Sequence, residues 1–174
     1  RPGPVVIDIP KDVQFATGAY IGKEGVHKAT YKPRTTPDAE SVTATVDLIM
    51  SAWRPVLYTG GGVINSGPRA SELLRELHAV TGIPVTSTLM GLGAFPAAHP
   101  DWLGMVGMHG SFEANNAMHD CDLMICLGAR FDDRVTGRLD AFSPNSKKVH
   151  IDIDPSSINK IVRVDVPVIG DCAI

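Results

Sequence analysis

The sequence has little excess charge of either sign, which excludes several classes of partner. Of its 174 residues, 16 are Lys or Arg and 19 are Asp or Glu, which gives a net charge of -3 at pH 7. This balance provides no basic surface for nucleic acid, and no apolar run approaches the length of a membrane span. We therefore expect neither a nucleic acid nor a membrane as a partner.

Cysteine is also scarce. Cys121, Cys126 and Cys172 are the three cysteines of the sequence, and their spacing matches no zinc-binding motif. An odd number of scattered cysteines favours reduced thiols in a cytoplasmic protein over a disulfide framework, and Cys126 is expected in the core. We predict no metal site. Because the sequence also lacks an initiator methionine and a signal sequence, and stops just after a predicted strand, we expect a domain excised from a longer chain.

Strands and helices alternate along the sequence, in which 44% of the residues are hydrophobic and 20% are charged, as in a soluble globular protein. The predicted strands are residues 5–9, 56–59, 83–87, 123–127, 148–153 and 166–169. Strands that alternate with helices predict a parallel sheet joined by right-handed crossovers. The predicted fold class is α/β: a three-layer, doubly wound, Rossmann-like parallel sheet of about six strands with helices on both faces.

Apolar residues at helical spacing predict two amphipathic helices and the face that each packs on the sheet. The apolar face of the first helix is formed by Val42, Val46, Ile49, Met50 and Trp53. That of the second is formed by Ala70, Leu73, Leu74, Leu77 and Val80. Ser41 is available to cap the first helix and Gly82 ends the second, while residues 111–119 predict a shorter helix.

The N-terminal part of the sequence differs from the rest. After the strand predicted at residues 5–9, periodicity is weak and Gly, Pro and Lys recur up to about Asp38. We therefore divide the chain into an N-terminal strand and linker, residues 1–38, and a single α/β domain, residues 39–174.

The segment GARFDDRVTGR, residues 128–138, is the most informative part of the sequence. It follows an apolar run typical of a strand buried on both faces, and ligands of parallel α/β sheets gather at the carboxyl ends of such strands. Arg130 and Arg134 offer guanidinium forks for phosphate, and Asp132 and Asp133 can orient those forks. A solvated salt-bridge patch of little energetic value is the alternative.

Comparable segments follow the other predicted strands. Residues 60–62 are three glycines, whose N–H groups can face an anion, although such a run is as often a flexible turn and matches neither the dinucleotide fingerprint nor the P-loop. Residues 86–93 supply hydroxyls and apolar side chains, which suit a sugar chain and the edge of an aromatic ring system. The alternative is that they form only a helix cap and a loop. His109 precedes a helix N-terminus, where an anion gains about 0.3–1 kcal/mol. Asp152 can hold a ribose, and Asp171 is placed either for a ligand or as an N-cap.

Several segments together resemble the central domain of the large catalytic subunit of acetohydroxyacid synthase, also called acetolactate synthase. They are RPGPVVIDIPKD, PVLYTGGG, TGIPVTSTLMGLG, GMHG, GARFDDRVTG and VHIDIDP, of which GARFDDRVTG is the most specific. The resemblance spans nearly the whole chain and is weakest over residues 14–36. It implies a protein of three α/β domains, in which the outer two bind thiamine diphosphate and the middle one, represented by this chain, binds FAD.

Carried over position by position, the resemblance implies a set of cofactor-binding residues at the strand ends. They are Gly60, Gly61, Gly62, Thr88, Leu89, Met90, Gly107, Met108, His109, Gly110, Gly128, Arg130, Asp132, Arg134, Val135, Asp152, Ile153, Asp171 and Cys172. Met108, Asp133 and Arg134 are also implied near the substrate channel or the family's herbicide site. The resemblance implies no catalytic residue and no metal ligand in this chain.

For the full enzyme, the resemblance implies condensation of two pyruvates to 2-acetolactate, or of pyruvate with 2-oxobutyrate, in branched-chain amino-acid biosynthesis. Thiamine diphosphate and Mg would be bound by pyrimidine- and diphosphate-binding domains that this sequence lacks, so we expect the chain alone to be inactive. The flavin is implied to be a structural cofactor. The expected partners are the missing domains, other copies of the full enzyme in a homodimer or tetramer, and a regulatory small subunit. The expected location is the cytoplasm.

Two other interpretations are open. One is a structural scaffold of a thiamine-diphosphate decarboxylase that has lost flavin binding, but the presence of Arg130, Arg134 and the glycines argues against this. An independent NAD-dependent enzyme, such as a deacylase, would need a catalytic His in a deep pocket and usually a zinc module, which three scattered cysteines cannot form.

Overall fold

The computed structural model describes residues 4–20, 22 and 32–174, which divide into one unit up to residue 33 and a second from residue 34 to 174. Within the described part of the first unit, the regular element is α1 (Lys11–Phe15). The strand predicted at residues 5–9 is wrong, because this stretch is neither strand nor helix and Val5, Val6 and Ile7 are exposed. An extended apolar segment becomes a strand where a neighbouring strand supplies hydrogen bonds, and the described residues of this unit include none.

Six parallel strands form the sheet of the second unit. They are β1 (Pro55–Thr59), β2 (Val85–Ser87), β3 (Trp102–Met105), β4 (Leu123–Leu127), β5 (Lys147–Asp152) and β6 (Val166–Ile169). Their order is β3-β2-β1-β4-β5-β6, and every neighbouring pair is parallel. The predicted α/β, Rossmann-like class is confirmed. The chain changes direction across the sheet between β1 and β4, which makes their carboxyl ends the switch point where ligands of such folds bind.

The sheet has a helical layer on each face. The helices are α2 (Ala39–Ser51), α3 (Gly61–Asn65), α4 (Pro68–Thr81), α5 (Phe112–Asp120) and α6 (Asp133–Thr136). Residues of α2, α3 and α4 join the core with Leu57 and Ile125 on one face, while residues of α5 and α6 join the core with Tyr58 and Cys126 on the other. This arrangement follows from the alternation of side chains along each strand. Within the described residues, no helix has the length and apolar character needed to cross a membrane.

The face of α2 that packs on the sheet differs from the predicted one. Thr45 is buried and Ile49 is partly buried against the core, together with Leu48 and Ala52. The other four predicted positions are exposed and form a surface that we call the α2 apolar face: Val42, Val46, Met50 and Trp53. Two neighbouring stripes of this helix are apolar at helical spacing, so periodicity alone did not determine which one faces the sheet.

The helix termini agree with the sequence prediction at Gly82 and differ from it at Ser41. Gly82 ends α4 in the left-handed conformation, with φ of 68°, and Ser111 caps α5 by accepting a hydrogen bond from the Ala114 N–H at 3.1 Å. Ser41 does not cap α2. Asp38 does, because its Oδ1 accepts the Ser41 N–H at 2.7 Å. On α4, Val80 is 87% exposed, so its predicted place in the core is wrong.

Asp122 joins the end of α2 to the start of β4. Its carboxylate accepts the N–H groups of Trp53 at 2.7 Å and of Arg54 at 2.9 Å. Partial burial works against ionisation, but these hydrogen bonds outweigh it and hold the pKa of Asp122 below its ordinary value. The pKa of Asp165 is lowered in the same way, against partial burial, by bonds from Lys147 and Lys148.

We expect Asp122→Asn to reduce the acid sensitivity of the fold. A carboxylate whose pKa is lower in the folded than in the unfolded chain contributes stability above the unfolded pKa of about 3.9, and this stability is lost as the pH falls through the folded pKa. The free energy of unfolding of Asp122→Asn should therefore change less below about pH 4, measured by urea denaturation at several pH values. Asp47→Asn, on the exposed side of α2, is the matched control. An unchanged slope in Asp122→Asn would contradict the prediction.

Candidate functional site

All the predicted cofactor-binding segments lie at or just beyond the carboxyl ends of the strands. Taken along the chain, from the segment after β1 to the segment after β6, they are residues 60–62, 88–90, 107–110, 128–135, 152–153 and 171–172. Because all six strands are parallel, these segments follow one border of the sheet, which we call the carboxyl edge. The topology therefore collects residues that are far apart in sequence.

At the switch point, the loops after β1 and β4 are in direct contact. The Gly60 N–H donates to the Leu127 carbonyl at 2.9 Å, and the Gly62 N–H donates to the Gly128 carbonyl at 2.8 Å. A Cβ atom on Gly62 would lie 2.5 Å from the Gly128 Cα. The glycines are thus needed for the close approach of the chain's own backbone, and these two N–H groups are committed to the fold rather than open to a ligand. The run begins helix α3 and is not a flexible turn.

Exposed apolar side chains lie beside this switch point. Thr88 Oγ1 accepts the Gly91 N–H at 3.2 Å and so caps a 3-10 turn, Leu89–Gly91. Leu89 is 67% exposed and Met90 is 73% exposed. Met90 also approaches the β1 loop, since a Cβ atom on Gly61 would lie 3.1 Å from the Met90 Cβ. The turn therefore presents the apolar side chains of Leu89 and Met90 to solvent, next to the Thr88 hydroxyl.

The loop after β3 is held by α5 and α6. The Gly107 N–H donates to Asn115 Oδ1 at 2.9 Å, and Asn115 Nδ2 donates back to the Gly107 carbonyl at 3.0 Å. The Met108 N–H donates to the Arg134 carbonyl at 2.8 Å, which leaves the Met108 side chain 61% exposed and that of His109 exposed. Asn115 was missed by the sequence analysis. Its position one turn after the Ser111 cap is a weak signal for this role.

The segment after β4 presents its charged side chains to solvent. Arg130 Nη2 is 3.0 Å from Asp132 Oδ2, and both side chains are about half exposed. Arg134 and Asp133 form a looser and more exposed pair, 3.9 Å apart. Exposed pairs of this kind contribute little, with a median of about 0–1 kcal/mol, so either guanidinium can exchange its partner for an anionic ligand at low cost. Asp132 is thus in a position to orient the Arg130 fork, and this role stays a prediction.

Buried groups fix the backbone beneath these charges. Tyr58 Oη donates to the Arg130 carbonyl at 2.9 Å. His150 Nε2 donates to the Ala129 carbonyl at 2.8 Å, and Phe131 packs against both rings. Tyr58 and His150 are fully buried, and neither was predicted to serve this segment. They hold Arg130 in place through its main chain.

The ends of β5 and β6 complete the carboxyl edge with less accessible groups. Asp152 is 4% exposed, and its Oδ1 accepts the Asp154 N–H at 2.8 Å, so its carboxylate lies below the surface of the edge. Asp171 Oδ1 accepts the Ala173 N–H at 2.9 Å and forms a turn. Burial, assisted by the neighbouring carboxylates of Asp171 and Asp152, raises the pKa of Cys172 to about 12. This thiol is therefore protonated at neutral pH and unsuited to nucleophilic or redox chemistry.

The three cysteines carry free thiols, as expected. Cys126 is fully buried in the core, which confirms its predicted place. Burial raises the pKa of Cys126 well above its ordinary value and also raises that of Cys121.

Residues 42–174 match the family described as thiamine pyrophosphate enzyme, central domain. The chain belongs to this family. Over 171 residues it is 50% identical to the acetolactate synthase large subunit of Corynebacterium glutamicum, covering 98% of this chain and 27% of that protein. Over 173 residues it is 44% identical to the acetolactate synthase isozyme 3 large subunit of Escherichia coli, covering 98% of this chain and 30% of that protein. The chain thus spans less than a third of the length of these relatives, as one thiamine pyrophosphate enzyme central domain would.

Proposed function

We propose that this chain is the FAD-binding central domain of an acetolactate synthase large subunit. The observation that carries the proposal is the convergence of six segments on the carboxyl edge, with the half-exposed Arg130 at the switch point. Ligands of open α/β sheets bind at this point. The similarity to acetolactate synthase large subunits over nearly the whole chain supports the choice of enzyme.

The donor set of the carboxyl edge fits FAD. The forks of Arg130 and Arg134 match the geometry of a diphosphate, and Asp132 keeps the first of them oriented. Leu89, Met90 and Met108 are exposed apolar side chains that can cover the flat flavin ring. When bound, FAD would place its rigid flavin ring and its anionic diphosphate along this edge. It would have no net redox role in the proposed reaction.

We propose that neighbouring parts of the full protein complete the flavin site. A cavity lined by Val106, Met118, Val135 and Phe142 has a volume of about 200 Å³. Sites that bury a drug-sized ligand have about 300–1,000 Å³. A dinucleotide is too large for this cavity, so in this proposal it lies along the carboxyl edge, and we expect the chain alone to bind it weakly.

The full protein, in this proposal, joins two pyruvates to 2-acetolactate, or pyruvate to 2-oxobutyrate, in branched-chain amino-acid biosynthesis. Thiamine diphosphate and Mg would be held by the pyrimidine- and diphosphate-binding domains. We also propose a homodimer or tetramer, a regulatory small subunit and a cytoplasmic location. The 174-residue chain should form no acetolactate from pyruvate, thiamine diphosphate and Mg; measurable product would refute this assignment of roles.

A scaffold domain without a ligand is the second candidate. It is favoured by one observation: the N–H groups of Gly60 and Gly62 bond to the chain itself, and Arg130 already has a carboxylate partner. In that case the carboxyl edge would serve as a packing surface in a thiamine-diphosphate enzyme. Ligand titration distinguishes the two candidates.

The test is titration of the purified chain with FAD and, separately, with ADP, followed by flavin fluorescence and by the melting temperature. Saturable binding should raise the stability, by about 2.7 kcal/mol at a ligand concentration of 100 times Kd. Arg130→Ala should weaken both ligands about tenfold, because a charge-assisted hydrogen bond is worth about 1.5–3 kcal/mol and this one is partly exposed.

Arg138→Ala is the matched control, since Arg138 is an exposed arginine paired with Asp140 at 2.7 Å and lies outside the predicted site. It should bind both ligands as the unchanged chain does. Binding of neither ligand by the unchanged chain, or equal loss in the two variants, would favour the scaffold.

A further inference from the structure

A separate polar cluster lies at the opposite, amino-terminal edge of the sheet. His78 is in the last turns of α4, while His99 and Asp101 lie in the loop that leads into β3. One ring nitrogen from each histidine and one carboxylate oxygen all lie within 4.8 Å of one another. None of the three residues belongs to the predicted flavin site. Two imidazoles and a carboxylate are a donor set that suits divalent transition-metal ions.

The hydrogen bonds of His78 determine which nitrogen is available. Its Nδ1 lies 2.9 Å from the Ile83 carbonyl, which can only accept, so Nδ1 carries the proton. In the neutral ring the lone pair is then on Nε2, which lies 3.4 Å from Asp101 Oδ2. Metal-binding histidines commonly donate their second ring N–H to a carbonyl in this way. A lone pair and a carboxylate oxygen at this distance repel each other unless a cation lies with them.

His99 brings a second lone pair to the same place. Its Nδ1 lies 3.8 Å from Asp101 Oδ2. The single lone pair of this nitrogen accepts the Asp101 N–H in a long hydrogen bond of 3.2 Å, which a bound ion would replace. The buried Phe95 packs edge-on against both histidine rings, with centroid distances of 5.0 Å and 5.2 Å. The two imidazoles themselves lie edge to face, with centroids 4.6 Å apart and an angle of 83° between their planes, so they are in contact before any ion binds.

We propose that His78, His99 and Asp101 bind a divalent transition-metal ion, for which Zn²⁺ is the probe. Zinc bound by imidazole and carboxylate at about 2.0–2.1 Å in tetrahedral geometry places its ligand atoms about 3.3 Å apart. The observed 3.4 Å and 3.8 Å come close to this, and the third separation, between the two histidine nitrogens, is within 4.8 Å. His99 and Asp101 have partly exposed side chains that can make the remaining adjustment. Water completes the coordination. The ion links the end of α4 to the loop before β3.

Zinc binding is measured by isothermal titration calorimetry on the untagged, chelator-treated and desalted chain. We expect one saturable site and a rise in the melting temperature on addition of ZnCl₂. Asp101→Asn and His99→Ala should each weaken the affinity at least about tenfold, since loss of even an outer partner of a metal ligand costs 10–100-fold. His119→Ala, which removes an exposed histidine of α5, is the matched control and should bind zinc normally.

Absence of saturable binding would overturn the proposal. Binding that survives unchanged in both Asp101→Asn and His99→Ala would also overturn it. If His99→Ala fails to fold, Asp101→Asn decides the question, because that side chain is half exposed. Visible absorption of bound Co²⁺, displaced by Zn²⁺, gives an independent signal. Arg130→Ala should leave zinc affinity unchanged, so failure of the flavin proposal is separable from failure of this one.

Discussion

Replacement of Gly60 by alanine is expected to lower the free energy of unfolding by about 3 kcal/mol. The new Cβ atom would lie 2.5 Å from both the Ala129 Cα and the Gly128 carbonyl oxygen. Gly60 has φ of -131°, a conformation open to any residue, so the cost is steric. Backbone atoms cannot move aside as a flexible side chain does, and the loops after β1 and β4 must separate. Urea denaturation of the unchanged chain and of Gly60→Ala measures the difference in the free energy of unfolding.

Gly18→Ala is the control for that substitution. Within the part of the chain that the structure describes, no atom lies within 4 Å of the position that its Cβ would occupy, and its φ is not in the left-handed region. Its effect should stay within about 0.5 kcal/mol. If Gly60→Ala proved as harmless as Gly18→Ala, the close approach of the two loops at the switch point would not exist in solution.

Leu57→Ala is expected to lower the free energy of unfolding by about 3–4 kcal/mol. Leu57 lies in the middle of β1, is fully buried, and pairs with Val85 of β2 and Ile125 of β4 on either side. Its removal leaves a cavity at the centre of a sheet whose neighbours cannot collapse into it. Urea or thermal denaturation followed by circular dichroism measures the loss.

Trp53→Ala is the contrasting substitution, because it removes a larger side chain from a site that is 92% exposed. It should change the free energy of unfolding by no more than about 0.5 kcal/mol. A loss as large as that of Leu57→Ala would mean that the α2 apolar face is covered in solution.

The strands that the sequence predicted well are apolar runs with clear boundaries. β4 and β6 have the predicted ends, and β1 differs by the single residue Pro55. β3 was missed because its four residues include Gly104, with φ of 91°, which interrupts the apolar pattern. Residues 5–9 have a good strand pattern, but the described residues of their unit supply no neighbouring strand. Strand formation depends on a partner that a local pattern does not contain.

The candidate site shows the same division between local and non-local information. Segments such as GARFDDRVTG are recognisable because their charges and glycines are adjacent in sequence. Tyr58 and His150 act on main-chain groups 72 and 21 residues away along the chain, and no local motif marks them. Asn115 acts on Gly107, eight residues before it, and only its place after the Ser111 cap marks it. The cluster of His78, His99 and Asp101 is assembled in the same way, by the packing of α4 against the loop before β3.

The strand order also governs how the chain reaches its fold. β1 and β4 are neighbours at the centre of the sheet, yet residues 60–122 separate them along the chain. Pairing across such a distance must close a long loop before its contacts form, which places parallel sheets among the slower folding topologies. During synthesis, β1, β2 and β3 emerge first, so one side of β1 stays unpaired until β4 has been made. An unpaired edge of an apolar strand is a surface to which chaperones bind, and it is also where other unfolded chains can pair and aggregate.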